Sequence, residues 1–235
     1  MENPKWDAAD LSESDRLIGT VLYKGDDASN PVCVCSILSS TCSLIHALVS
    51  GSVAIGHFVI TENQLLNPID YSRGAEPLGQ FMRSQRFDVY KIKHYTIITF
   101  DESISCTHEV VDEIFRVVNP DSIIVLESIH ASLFMKPDLI TPQIFCLSNK
   151  VEDSNYPVPN IVTGISAGLI TQSEVKGKHC RVFVVVEDDC GPSIESMKLF
   201  QETLNPILPI SFNDVSQKAM DLYHLYHNDI GMVYT

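Results

Sequence analysis

The run Val182-Phe183-Val184-Val185-Val186 limits what this chain can become more than any other stretch. Five consecutive β-branched or aromatic residues, with no polar alternation, describe a strand buried on both faces. Charge flanks the run on either side, at Arg181 and Glu187. Val32 to Ile37 and Ser122 to Leu126 read the same way. Strands covered on both faces need helices above and below them, which is the layering of an α/β domain.

Amphipathic helices stand between these runs. Leu44, Ile45, Leu48 and Val49 share one face, with Ser39-Ser40-Thr41 as candidate caps and Gly51 as a stop. Ser103 or Ser105 opens a second helix, striped by Val110, Val111, Ile114, Phe115 and Val118 and ended by Asn119-Pro120. Ile165 to Ile170 begins a third. Gly191-Pro192-Ser193 starts a fourth, with Pro192 near its first turn and Ile194, Met197, Leu199, Phe200 and Leu204 on its apolar face. Ser216 to Tyr226 reads as a last helix.

Further strands are expected at Leu17 to Tyr23, Phe87 to Ile92, Tyr95 to Phe100 and Ile144 to Leu147. Another spans Ser52 to Thr61, with Gly56 as a bulge, while Asn63 to Gln85 reads as loop. The expected architecture is a single α/β domain over residues 16–226, with a largely parallel or mixed sheet and helices on both faces. Residues 1–15 are expected to be a disordered acidic lead-in, and 227–235 a flexible C-terminal tail.

Net charge is -14, from 30 acidic and 16 basic residues. That opposes binding to nucleic acid or to an anionic membrane, since both need clustered Lys and Arg. No run approaches the ~20 apolar residues of a membrane span. The polar start, Met1-Glu2-Asn3-Pro4-Lys5-Trp6-Asp7, has neither signal-peptide nor transit-peptide character. A soluble cytoplasmic protein is expected, with the nucleus left open as a second compartment. Seven cysteines, an odd number, imply free thiols. Cys33 and Cys35 are read as small apolar side chains sharing one strand face.

One catalytic pattern is present. Gly164-Ile165-Ser166-Ala167-Gly168 matches the nucleophile elbow G-x-S-x-G, and Asp188, Asp189 or Asp214 with His224 or His227 would complete the order Ser, Asp, His. Its context is poor: only Ile161-Val162 precede it, behind two prolines, and nothing supplies an oxyanion hole. A tight turn into a packed helix explains the same letters. Serine hydrolase is therefore the alternative reading. No nucleotide-phosphate motif occurs, the eight histidines are scattered, and no cofactor or metal is expected.

The chain ends Val233-Tyr234-Thr235, a compact plug of apolar side chain, ring and carboxylate behind the polar tether 226–231. This ending, together with Pro159-Asn160-Ile161-Val162, the strand Val182 to Val186, the helix Ser193 to Leu204 and Asn205-Pro206-Ile207-Leu208, resembles the proteasome assembly chaperone 1 family. Val111 to Phe115, Asn119-Pro120 and Ser122 to Leu126 resemble it more loosely. The resemblance implies a non-enzymatic α/β chaperone for 20S proteasome assembly. It implies a heterodimer with a second assembly chaperone, which promotes α-ring formation and blocks premature regulator docking. Val233, Tyr234 and Thr235 would then insert into a pocket between proteasome α subunits.

Overall fold

The computed structural model describes residues 20–37, 39–64, 81–100, 104, 106–188, 192–205 and 217–224. In chain order these form β1 (Thr20–Gly25), β2 (Val32–Ile37), α1 (Ser39–Val49), β3 (Ala54–Gln64), β4 (Phe81–Ile92) and β5 (Tyr95–Phe100). There follow α2 (Thr107–Val117), β6 (Ser122–His130), β7 (Gln143–Ser148), α3 (Gly164–Val175), β8 (His179–Glu187) and α4 (Ile194–Leu204). A fifth helix, α5, covers 217–224.

All eight strands join one sheet in the order β1-β3-β4-β5-β2-β6-β8-β7. β2 runs parallel to β5 and β6, and β6 parallel to β8. The other four pairings are antiparallel, so the sheet is mixed. The three strands read as buried on both faces, β2, β6 and β8, all enter parallel pairs, and β5, parallel to β2, joins them. The antiparallel ones include the hairpin β4–β5, whose tight turn holds Lys93 at φ 53°.

Alternation along the strands splits the core in two. Cys33, Cys35, Val125, Val182 and Val184 face α2 and α3, through Val110, Ile114, Ile165 and Leu169. Val34, Ile124, Leu126, Phe183 and Val185 face α1, α4 and α5, through Leu44, Ile45, Met197, Phe200 and Ala219. A fully buried side chain such as Phe200 or Leu44 contributes about 1.5–3 kcal/mol of transfer free energy. The expected two-sided cover is present.

Several boundaries differ from expectation. β4 begins at Phe81 and β3 runs to Gln64, so both ends of the stretch read as loop are strand. Ladder hydrogen bonds hold these polar segments without an apolar pattern to announce them. The bulge at Gly56 is present as a register shift against β4. The first strand, expected at Leu17 to Tyr23, is described over Thr20–Gly25; residues 17–19 lie outside the described residues.

Helix starts also move. Ser39 is already helical, and the Thr41 hydroxyl donates back to Ile37 O at 2.9 Å, so the serine–threonine run is not a flanking cap. Cys106, without a side-chain cap bond, precedes α2, whereas Ser103 and Ser105 lie outside the described residues. Ser193 caps α4 in a reciprocal box with Ser196, which places Pro192 before the cap instead of in the first turn.

Candidate functional site

The G-x-S-x-G residues serve packing. Gly164 has φ 59°, a left-handed conformation that turns the chain into α3. A Cβ on Gly168 would stand 2.9 Å from Val111 Cγ2 and 3.3 Å from Thr107 Cγ2, so this glycine lets α3 approach α2. Ser166, at 0% exposure, lies in the first turn of α3 and donates its hydroxyl to Glu127 Oε2 on β6 at 2.5 Å.

This geometry does not favour the hydrolase reading. A fully buried hydroxyl cannot meet a carbonyl substrate, and its partner is a carboxylate rather than an imidazole. Burial pushes the Glu127 carboxyl up, against the hydrogen bond from Ser166. Among the proposed partners, His224 is on α5, across the sheet from Ser166. Asp188 is exposed beyond β8, its carbonyl 3.3 Å from His130 Nδ1. Asp189, Asp214 and His227 lie outside the described residues.

A second group has triad composition without triad geometry. Asp153 Oδ2 stands 3.1 Å from His179 Nε2, and Ser148 Oγ stands 3.4 Å from the same nitrogen. A relay requires the carboxylate on one ring nitrogen and the hydroxyl on the other. Here both meet at one atom, and the contacts tie β7 and β8 to the short 3-10 turn Val151–Asp153.

The buried thiols of Cys35 and Cys180 are equally unsuited to chemistry. Cys33 and Cys35 share one face as expected, with Sγ atoms 3.7 Å apart and no exposure. The hydrogen bond from Cys33, then burial, pushes the Cys35 thiol well up. Burial pushes Cys180 up to about 12. Thiolate, the reactive form, is therefore suppressed at both. Among the described residues no three His, Cys, Asp or Glu side chains come together to hold a metal, and no helix is long and apolar enough to cross a membrane.

What remains is surface. Among the described residues, six of the nine exposed large apolar side chains fall between 133 and 161: Leu133, Met135, Ile140, Val151, Val158 and Ile161. Asn160, flanked by Pro159 and Ile161, fixes Met135 from both sides: its Oδ1 accepts from Met135 N–H at 2.6 Å, and its Nδ2 donates to Met135 O at 2.9 Å. Beneath lies a small aromatic cluster in which Phe134 stacks on Phe145 at 5.0 Å and meets Tyr156 edge-on at 5.6 Å. Apart from the strand expected at Ile144 to Leu147, the sequence predicts no regular element over this stretch. The signal that could have found it is the complete lack of charged residues over 154–173 in so acidic a chain.

Each edge strand of the sheet is capped at one position from outside the sheet. On β1, the N–H of Tyr23 donates to Glu113. On β7, Cys146 N–H donates to Asn155 Oδ1 at 2.6 Å and its carbonyl accepts from Asn155 N–H at 2.9 Å. Capped edges discourage pairing with a foreign strand. The terminal Val233, Tyr234 and Thr235 lie outside the described residues.

A single-domain α/β protein with a mixed sheet, helices on both faces and an exposed apolar surface is the class these features define. No family model matches the sequence, and no curated protein matches it. Solved structures do share the fold. PbaA from Pyrococcus furiosus, an archaeal homolog of proteasome-assembly chaperone, aligns at TM-score 0.59 and 15% identity, over 88% of this chain and 94% of that one. PbaB from the same organism, an archaeal proteasome activator, aligns at 0.59 and 12%, over 89% and 98%. A proteasome-assembly chaperone homologue from Mycobacterium tuberculosis aligns at 0.55 and 11%, over 84% and 94%. At such identities the likeness is one of fold.

Proposed function

We propose that this protein is a non-enzymatic chaperone of 20S proteasome assembly. The observation that carries the reading is the fold shared with PbaA along nearly the whole of both chains, supported by the ending Val233-Tyr234-Thr235. The protein acts in the cytoplasm, as a heterodimer with a second assembly chaperone. The pair promotes α-ring formation and keeps regulators from docking early. Val233 fills the apolar part of a pocket between α subunits, Tyr234 packs and sets direction, and Thr235 presents its carboxylate to a lysine. Three residues bury little area, so the folded body supplies most of the contact and raises the local concentration of the tail.

The experiment is capture of purified proteasome α subunits by the full chain, by a chain lacking 233–235, and by a chain amidated at Thr235. Both altered chains should retain less α subunit. Equal capture by all three would remove the tail from the mechanism, and no capture by the full chain would overturn the chaperone reading.

A further inference from the structure

We infer that the surface formed by Leu133, Met135, Ile140, Val158 and Ile161 is where this chain pairs with a different protein chain, one presenting an uncharged apolar centre ringed by Lys and Arg. The inference deepens the proposed function and rests on it, because there the different chain is the second assembly chaperone.

Three features point to a docking surface. These side chains are 67–91% exposed, while ordinary surface apolar residues are scattered singly. Their footing is stiff: Asn160 holds Met135 in both directions and donates to Pro157 O at 2.9 Å. Phe134 fills the space beneath, against Phe145 and Tyr156. A stiff apolar centre loses little conformational entropy on binding. The surface is also depleted of charge, as interface centres are. Residues 154–173 carry none, and 131–149 carry only Lys136 and Asp138. Lys136 is turned inward, 2.8 Å from Gln143 Oε1 and 4.8 Å from the Phe145 ring centre.

Charge also selects the occupant. The exposed Asp138 and Asp188 stand beside the apolar loops, in a chain whose full sequence carries net charge -14. A second copy would bring the same acidic rim and the same net charge to the contact. A chain with a basic rim pairs with those carboxylates and meets no such repulsion.

The test titrates the purified second assembly-chaperone subunit from the same organism against the full chain and against Met135→Asp, Ile161→Asp and the double variant. Val175→Asp, exposed toward the far end of α3, is the control. Each single variant should weaken the 1:1 complex by roughly tenfold or more, and the double should abolish it. The control should bind as wild type, and all variants should melt with wild type. Sedimentation of wild type alone should show a monomer. A complex that survives in the double variant overturns the surface. Self-association of wild type that the double variant loses makes the occupant a second copy and overturns the heterotypic assignment. Failure of wild type itself to bind the second subunit overturns the heterodimer reading and this inference together, a result distinct from variants that bind normally.

Discussion

Glu113 on α2 accepts the backbone N–H of Tyr23 on β1 at 3.1 Å, across 90 residues of sequence. Arg116, one turn on, donates Nε to Glu113 Oε2 and Nη2 to Oε1, each at 2.5 Å. A helix thus closes a sheet edge with a carboxylate that its own arginine holds in place.

Replacing Glu113 by Ala should leave the Tyr23 amide without its acceptor and destabilise the fold by about 1–3 kcal/mol in urea unfolding. Gln should recover part of that loss. The hydrogen bond from Arg116 lowers the Glu113 carboxyl below the ordinary glutamate range, against the opposing effect of burial. The stabilisation is therefore complete above the ordinary value and disappears as pH falls through the lower folded value. Urea midpoints from neutral to acid pH should fall more steeply for wild type than for Glu113→Gln. Parallel curves would show that the edge contact does not titrate.

Gly168→Val should be destabilising by about 1–3 kcal/mol, because its side chain enters space held by Val111 and Thr107. Val111→Ala opens that space. In a double-mutant cycle the pair should couple favourably by ~0.5 kcal/mol or more. Strict additivity would mean that α2 and α3 separate freely and that the close approach is unimportant.

His179 carries the opposite kind of pH sensitivity from a salt-bridged histidine. Burial first, then the nearby Lys150 and Arg181, lowers its pKa from the usual 6.5, and Asp153 only partly offsets them. The unfolded chain therefore takes up this proton first as pH falls, so stability decreases below about pH 6.5 and levels off below the folded value. His179→Gln should flatten that decline in thermal melts between pH 7 and pH 5. An unchanged slope would assign the decline to other groups.

Much of the scaffold was legible in the sequence. Val182 to Val186 became the middle of β8, and the stripe Val110, Val111, Ile114, Phe115 became the buried face of α2. Periodicity reports burial directly, since the same side chains that repeat must leave water. The start of β4 at Phe81 was not legible, because antiparallel ladders hold polar residues through their backbones. The G-x-S-x-G letters read locally as either an elbow or a packing turn. Only the Val111 methyl beneath Gly168 and the Glu127 carboxylate over Ser166 separated the two.

The sequence by itself determined which segments are strands and helices along most of the chain, and that β2, β6 and β8 lie between two helical layers. Tertiary structure alone decided that the sheet is mixed, that Ser166 and the helix of His224 stand on opposite faces of it, and that Glu113 and Asn155 cap its edges at Tyr23 and Cys146. It also decided that Leu133, Met135, Val158 and Ile161 are exposed on the isolated chain. The reason is physical: apolar spacing encodes how much of a segment is buried, whereas strand direction, edge capping and the exposure of a loop depend on neighbours distant in sequence.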